Sequence, residues 1–341
     1  MRKLLSVGFA TAMFCSAASA QEYRITRTIP LGGNGAWDYL KADAESRRLY
    51  VSHSGEVVVL DLDTQQEVGK LTGFGFIHAI VIVKELQTGF LSDGQKNEVI
   101  SFDPATLKIK KRIKTLANPN SMAYDHTSGR LFVGHKPSKS MTVIQASSGR
   151  IEKVIPLGGV PEFPVSDEGG NIYVNIDDTS EIVHIEAKSM TMKARWPLKP
   201  CKSPSGLALD RQKNRLFAAC DNRLMAVVDA STGKLISTLP IGDGPDAAGF
   251  DPVTKLAFSS GGDGTLTVVG EQGDGYAVVQ NLRTEEGART MTLDTKSHVV
   301  YLSTAKLGPP PVPTVRVPNP PKHPTAIAGT FHVLLASPTT D

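Results

Sequence analysis

A short strand-like pattern with an aromatic residue at its third position recurs along the chain and limits what the chain can fold into. Two weaker copies fill the gaps between five clear ones. The third position falls at residues 50, 90, 132, 173, 217, 257 and 301, so consecutive copies lie 40 to 44 residues apart. Seven copies at a period near 42 residues indicate a repeat architecture. The copies are Arg48–Val51, Thr88–Leu91, Arg130–Val133, Asn171–Val174, Arg215–Ala218, Lys255–Phe258 and Val299–Leu302.

Each repeat contains four short apolar runs that are separated by turn residues. In the fifth repeat the runs are Gly206–Asp210, Arg215–Cys220, Met225–Asp229 and Lys234–Leu239. None has helical periodicity, so each repeat is predicted to form a four-stranded antiparallel sheet. Seven such sheets arranged radially make an all-β, seven-bladed propeller. An open stack of sheets is the alternative, but no repeat resembles a cap.

The two chain ends predict how the ring closes. Tyr23–Leu31 resembles a fourth strand and directly precedes the first repeat. The seventh repeat supplies only three strands, Arg289–Asp294, His298–Ser303 and Phe331–Ala336. We therefore expect the N-terminal strand to complete blade seven and remove an open sheet edge.

The Tyr-Val core, as in Tyr50-Val51-Ser52-His53, resembles the YVTN-type (YncE-like) β-propeller repeat. The resemblance covers residues 22–337, which we expect to form a single domain. It implies a bacterial, extracytoplasmic seven-bladed propeller, and it implies no particular chemistry. The chain departs from the pattern at Lys255–Phe258, where the aromatic residue is displaced by one, and in a proline-rich insert in blade seven.

The N-terminus has the features of a secretory signal peptide, predicted to span residues 1–20. Arg2 and Lys3 precede the apolar run Leu4–Ala17, and Ala18–Ala20 is a small-residue cleavage site. The apolar run is too short for a membrane span, so we expect a periplasmic or secreted monomer. Without Arg2 and Lys3 the formal net charge falls from +3 to about +1, which gives no overall case for nucleic-acid or membrane binding.

A ring of polar residues is predicted at one mouth of the central channel. These residues stand five positions before the end of the first strand of each repeat. One interpretation is solvation of a wet channel. The other is a ligand site that coordinates a divalent cation through oxygen atoms or binds a polar molecule, with Arg289 facing an anionic group. The seven residues are Asp38, His78, Asn120, Glu162, Ser205, Asp246 and Arg289.

A second predicted ring comes from the ends of the second strands. Of its members, His53 and His135 are candidates for a general base or a metal ligand, and the alternative is two surface histidines. No His-x-His or Glu-x-x-His spacing, Gly-x-Ser-x-Gly motif or phosphate loop accompanies them. The seven residues are His53, Asp93, His135, Asn175, Cys220, Ser260 and Thr304.

Four further features have two interpretations each. Cys201 and Cys220 form either a disulfide or two free thiols. The loop Gly308–Pro324 holds eight prolines and is a lid, a docking segment or a tolerated insertion. The basic run Lys108–Lys114 protects a sheet edge or contacts an anionic polymer or lipid surface. The aromatic residues that lead into the blades stack on a ligand or wedge neighbouring blades together; they are Trp37, Phe74, Phe76 and Phe163.

Three functions fit this sequence. The first is a binding or interaction protein that recognises a polar small molecule or a protein. The second is an enzyme of the lactone-hydrolysing or lyase type, which would use a divalent cation and one of His53, His78 or His135 on the same face. The third is a structural envelope protein. The first is favoured because no motif in the chain demands catalysis.

Overall fold

The chain folds into seven four-stranded antiparallel sheets arranged as the blades of a β-propeller, which confirms the predicted fold class. The computed structural model describes residues 21–309 and 324–339. The expected signal peptide, residues 1–20, lies outside the described residues, as do residues 310–323 of the proline-rich segment. One turn of 3-10 helix, η1 (Lys84–Leu86), interrupts the strands of the described part.

The first four blades follow one another along the chain. Blade 1 contains β2 (Trp37–Asp43), β3 (Arg48–His53), β4 (Glu56–Asp61) and β5 (Glu67–Leu71). Blade 2 contains β6 (Ile77–Val83), β7 (Thr88–Asp93), β8 (Glu98–Phe102) and β9 (Ile109–Lys114). Blade 3 contains β10 (Pro119–Asp125), β11 (Arg130–His135), β12 (Ser140–Gln145) and β13 (Arg150–Pro156). Blade 4 contains β14 (Pro161–Ser166), β15 (Asn171–Ile176), β16 (Glu181–Glu186) and β17 (Thr191–Pro197).

The last three blades complete the ring. Blade 5 contains β18 (Pro204–Asp210), β19 (Arg215–Cys220), β20 (Leu224–Asp229) and β21 (Leu235–Pro240). Blade 6 contains β22 (Pro245–Asp251), β23 (Leu256–Gly261), β24 (Thr265–Gln272) and β25 (Gly275–Arg283). Blade 7 contains β26 (Thr290–Asp294), β27 (Val299–Thr304), β28 (His332–Pro338) and, from the N-terminus, β1 (Tyr23–Pro30).

The ring is closed by strand β1, as predicted. It pairs antiparallel with β28, and Tyr23 lies opposite Pro338 while Pro30 lies opposite His332. At the centre, the first strand of each blade contacts the first strands of both neighbouring blades, including β26 with β2. The first and last strands of the described residues are thereby held in one sheet.

The recurring aromatic residue is the core of each blade-to-blade contact. It is buried in all seven blades. Each copy lies in a separate apolar cluster together with residues of the following blade, as Tyr50 packs with Phe74, Ile77 and Ile80. Burial of large aromatic area at each joint is what holds the blades together without a shared central core. The seven residues are Tyr50, Phe90, Phe132, Tyr173, Phe217, Phe258 and Tyr301.

The repeat is more regular than the sequence indicated. Leu256 lies opposite Asp251, as Arg48 lies opposite Asp43 in blade 1. Phe258 therefore occupies the same position as Tyr50, and the predicted one-residue displacement of this aromatic residue is wrong. The copy in blade 6 starts at Leu256 rather than Lys255, because the turn before β23 is as long as the turn before β3.

The two ends of the proline-rich segment are held together at its base. Leu307 forms an isolated bridge with Ala326, and the Gly308 backbone N–H donates to the Thr325 carbonyl at 2.9 Å. The connection leaves β27 and returns to β28, so its base lies on the face where the chain passes from blade to blade.

Candidate ligand site at the channel mouth

Six of the seven ring residues have the same structural position. Asp38, His78, Asn120, Glu162, Ser205 and Asp246 are each the second residue of the first strand of their blade. In each case the pairing with the second strand is irregular directly after the first residue, as between Trp37 and Leu40. Arg289 directly precedes β26. The ring residues thus leave the regular ladder at the channel mouth.

Two ion pairs and one histidine–carboxylate pair connect adjacent blades at the channel mouth. His78 Nδ1 lies 2.6 Å from Asp38 Oδ2 and joins blades 1 and 2. Arg289 Nε donates to Asp246 Oδ2 at 2.8 Å and joins blades 6 and 7. Lys136, at the end of β11, donates through Nζ to Glu162 Oε1 and joins blades 3 and 4. Ionisable side chains from six blades therefore converge on one mouth.

Two aromatic side chains meet across the centre of the ring beneath these pairs. The ring centroids of Tyr39 in blade 1 and Phe163 in blade 4 lie 5.0 Å apart, with an interplanar angle of 69°. Blades 1 and 4 are not neighbours. The Tyr39 hydroxyl also donates to the backbone carbonyl of Asp246 in blade 6, at 3.1 Å. The aromatic pair is a floor beneath the mouth, and we call the seven ring residues with Lys136, Tyr39 and Phe163 the cup.

The carboxyl groups of the cup interact electrostatically with one another. Burial raises the pKa of Glu162 to about 7; the charge of Asp246 adds to the rise, and Lys136 opposes it. Burial also raises the pKa of Asp38, where Asp246 again adds and His78 opposes. Burial next to the same carboxylates holds the pKa of Tyr39 well above its usual value. The cup therefore exchanges a proton near neutral pH.

The two uncharged ring residues have different roles. Ser205 Oγ donates to Asp246 Oδ1 at 3.1 Å, so it belongs to the same network. Asn120 is buried, and its backbone carbonyl accepts a hydrogen bond from Ser92 Oγ of blade 2. Asn120 thus ties two blades through its backbone.

Comparison with known proteins finds local sequence similarity and full-length fold similarity. No protein-family model matches the chain. Protein YncE of Escherichia coli O157:H7 is 26% identical over 153 residues, which cover 41% of this chain and 42% of YncE, and YncE of strain K12 has the same values. The match therefore spans less than half of these curated relatives.

A solved structure with the description "Crystal Structure of Mitotic Checkpoint Complex" superposes with a TM-score of 0.73. The superposition covers 89% of this chain and 95% of the chain in that structure, at 12% sequence identity. Similarity at this low identity supports the fold alone. Seven four-stranded blades, a propeller neighbour and local similarity to YncE agree. The chain is a seven-bladed propeller with local sequence similarity to YncE.

The two histidines of the second predicted ring do not reach the cup. His53 is buried and stacks on Phe331, with ring centroids 4.1 Å apart. His135 is buried, and its Nδ1 lies 3.2 Å from the Ala117 carbonyl in the loop that leads into blade 3. Burial lowers the pKa of both imidazoles, so both are neutral at neutral pH. His135 thus holds the loop that leads into blade 3, and His53 packs against the residue that directly precedes β28 of blade 7.

The second predicted ring contains two structural positions rather than one. Ile176 and Gly261, rather than Asn175 and Ser260, pair with the first residues of their blades as His53 pairs with Trp37. Asn175 Nδ2 donates to the carbonyls of Ser205 and Gly206 at 3.0 Å, and Ser260 Oγ donates to the Arg289 carbonyl. These two side chains fix the backbone of ring residues in the next blade.

The remaining members of that ring hold the loop that leads into their own blade. Asp93 accepts hydrogen bonds from the backbone N–H groups of Gly75 and Phe76. Thr304 Oγ1 donates to the Glu286 carbonyl at 2.9 Å. In blade 5 a disulfide between Cys220 and Cys201 makes the same connection covalently, with Cα atoms 5.8 Å apart.

The four aromatic residues that lead into the blades divide into two pairs. Trp37 packs against Phe331, and Phe74 lies in an apolar cluster with the Arg112 guanidinium 5.7 Å above its ring. Trp37 and Phe74 therefore pack neighbouring structural elements against each other. The ring centroids of Phe76 and His78 lie 4.8 Å apart, and Phe163 forms the floor with Tyr39. Phe76 and Phe163 therefore lie at the cup.

Sequence reasoning missed Tyr39 and Lys136, although a signal for Tyr39 exists. The position directly after the ring residue is small in five blades and aromatic only at Tyr39 and Phe163. Two large side chains among small ones fill the centre of the ring. The seven residues at this position are Tyr39, Ala79, Ser121, Phe163, Gly206, Ala247 and Thr290. Lys136 has no such signal.

Residues 21–309 and 324–339 contain no group of three or more His, Cys, Asp or Glu side chains placed to hold a metal ion. No helix within these ranges has the length and apolar character needed to cross a bilayer.

Proposed function

We propose that this YncE-like propeller, which has an interaction role, binds a polar ligand in the cup. The observation that carries the proposal is the convergence of two ion pairs and the His78–Asp38 pair, from six blades, above an aromatic floor. Concave sites with a few convergent polar groups and perturbed pKa values are where small ligands bind. The ligand is a polar small molecule or a polar group of a protein.

The cup favours a ligand that carries both hydrogen-bond donors and acceptors. Each ion pair offers a cation and a carboxylate side by side, and a ligand with complementary groups can exchange partners with both. The floor supplies an apolar and aromatic surface on which a small molecule can pack. A ligand without polar groups would leave the charges of the cup desolvated and unpaired, at a cost in binding free energy.

We further propose that the protein acts as a periplasmic or secreted monomer. Support comes from the sequence of residues 1–20, from the similarity to YncE and from the buried disulfide, since disulfides persist in oxidising compartments.

A thermal-shift screen of polar small molecules tests the binding proposal. Ligands that raise the melting temperature of the native protein should lose that effect in the double variant Asp246→Ala with Arg289→Ala, because neither side chain lies in the apolar clusters between blades. The matched control removes the exposed ion pair between Arg223 and Asp243, whose atoms lie 2.6 Å apart. Ligand effects that survive in the first variant, or disappear in both, would contradict the proposal.

A second candidate function rests on the pair His78 and Asp38. A carboxylate that orients an imidazole is the arrangement of a general base, and this one faces a concave site. The chemistry would be lactone hydrolysis or a lyase reaction, with a divalent cation as the possible partner. Metal analysis of the purified protein and assays with lactones test it, and His78→Gln should abolish turnover while retaining ligand binding. If the screen yields no ligand and the assays yield no turnover, a structural role in the envelope is left.

A further inference from the structure

The outer edge of the propeller carries a large excess of positive over negative charge. The seven outermost strands contain twelve Lys and Arg residues but only two carboxylates, Glu67 and Glu152. The whole chain has a formal net charge of only +3. The rim is therefore basic, and the remainder of the molecule is acidic on balance.

This charge is concentrated in three consecutive blades. The outermost strands of blades 2, 3 and 4 hold eight of the twelve cations, and we call β9, β13 and β17 the basic arc. The outermost strands of blades 5 and 6, β21 and β25, hold only Arg283. Charge that protected sheet edges from pairing with other sheets would be needed on every blade. Edge protection alone does not explain the arc.

Part of the arc is neutralised internally, and part is not. Arg112 and Lys114 both pair with Glu98, and Arg195 pairs with Glu181. Three lysines of the arc, together with Lys108 directly before β9, have no carboxylate within 4 Å among residues 21–309 and 324–339. Lys110 instead donates to the Gln87 carbonyl and Lys111 to the Ser148 carbonyl. The four lysines are Lys108, Lys110, Lys111 and Lys153.

Aliphatic side chains are exposed between these cations. Ile109 is 40% exposed, and Ile151 and Val154 are each 42% exposed. Lys111 reaches the turn before β13, so the edges of blades 2 and 3 form one continuous surface. A hydrated polyanion gains little from exposed aliphatic groups. A lipid interface can bind both the basic and the aliphatic side chains. Basic side chains contact anionic headgroups, and aliphatic side chains enter the boundary between headgroups and acyl chains.

We propose that the basic arc docks the propeller on an anionic lipid bilayer. The contact is peripheral and reversible, and it is weakened by salt because it depends on exposed charges. The disc then stands on its rim, with the channel mouth and the cup open to solvent. The proposal does not depend on the cup, because no residue is shared between the two surfaces.

Co-sedimentation with vesicles tests the proposal. The full mature protein is mixed with vesicles of phosphatidylcholine alone or of phosphatidylcholine with phosphatidylglycerol, at low and high salt. We expect binding only to the anionic vesicles. The variant with Lys108→Gln, Lys110→Gln, Lys111→Gln and Lys153→Gln should bind roughly 600-fold more weakly, since each lysine at the surface contributes a factor of about five. The control carries Lys202→Gln, Lys234→Gln, Lys255→Gln and Lys296→Gln, with the same charge change elsewhere, and should bind as the native protein does.

A second pair of measurements separates a bilayer from a soluble polyanion. Ile109→Ser with Ile151→Ser should weaken vesicle binding but leave retention on a dextran sulfate column unchanged. Equal weakening by the arc and control lysine variants would overturn the proposal, as would equal binding to neutral and anionic vesicles. Retention on dextran sulfate without any vesicle binding would also overturn it and assign the arc to a polyanion.

Discussion

At the scale of single residues, Glu162 is a carboxyl group whose environment differs strongly from water. Folding raises its pKa to about 7 because the carboxyl is buried, and the unfolded chain restores the ordinary value near 4.5. Between these two values the folded state binds more protons than the unfolded state. The stability contribution of Glu162 is therefore present at low pH and is lost as pH rises through about 7.

We predict that Glu162→Gln changes the pH dependence of stability in this window. On going from pH 5 to pH 8, the native protein should lose up to about 3 kcal/mol of unfolding free energy that the variant does not lose. Asp38 and the other titrating groups are common to both proteins, so the difference isolates Glu162. Urea unfolding at the two pH values measures it. Parallel pH profiles for the two proteins would show that Glu162 titrates normally.

Gly206 shows how closely the first strands of neighbouring blades approach. A Cβ atom added there would lie 2.5 Å from the backbone carbonyl carbon of Ala247 in blade 6. We predict that Gly206→Ala destabilises the fold by about 1–3 kcal/mol, because the two strands must separate. At Gly275 the nearest atom lies 3.9 Å from the added Cβ, so Gly275→Ala should be nearly neutral in the same denaturant titration. Equal effects would mean that the strands are not in close contact.

At the scale of elements, the loops that lead into the blades position the ring. Each loop is held by the end of the second strand of its blade, through Asp93 in blade 2, Thr304 in blade 7 and the disulfide of Cys220 in blade 5. Because the ring residue follows the loop directly, these anchors determine where its side chain lies. Removal of an anchor should therefore affect both stability and the cup.

For the disulfide we predict no free thiol in the mature, unreduced protein under denaturing conditions. Cys201→Ser with Cys220→Ser should lower the unfolding free energy by roughly 3 kcal/mol, the chain-entropy value for a closed loop of about 20 residues. Thiol titration and denaturant unfolding measure the two quantities. Two titratable thiols in the protein purified from an oxidising compartment would contradict the pairing.

The strands were predictable from sequence, but their irregularities were not. In blade 5 the predicted run Arg215–Cys220 coincides with β19, because a short continuous apolar run is typical of a strand whose two faces are both packed. The predicted start of the first strand at Gly206 came two residues after Pro204, where β18 begins, because the pairing is irregular there. The position of Asn175 was misassigned by one residue for a related reason. Asn175 was aligned with the other repeats by its polar side chain, whereas strand pairing places Ile176 at the equivalent position.

At the scale of the whole molecule, the ring depends on one non-local pairing. Strand β1 comes from the N-terminus and completes blade 7 beside β28. We predict that deletion of residues 21–31 exposes the edge of β28 and causes aggregation or loss of cooperative unfolding. Light scattering and thermal denaturation follow these effects. A soluble truncated protein with an unchanged melting temperature would show that the closure contributes nothing.

The ring of seven polar residues could be predicted from sequence because the repeat places equivalent residues at one mouth. The floor could not be derived in the same way, since Tyr39 and Phe163 belong to blades 1 and 4 and their contact follows no repeat-to-neighbour rule. Lys136 was missed because no other blade carries a cation directly after its second strand, and the equivalent residues of blades 4 and 5 are Asp177 and Asp221. Alignment of the repeats identifies positions that all seven blades share, such as the ring. The floor and Lys136 depend on side chains that differ between blades, so the alignment does not reveal them.

The central claim is that ligands bind in the cup, and a crystal structure with the strongest ligand from the thermal-shift screen tests it most directly. We expect ligand density above the rings of Tyr39 and Phe163, with polar groups within hydrogen-bond distance of Asp246 and Arg289. Ligand density elsewhere, such as on the outer strand beside Lys110 and Arg112, with an empty cup would contradict the account.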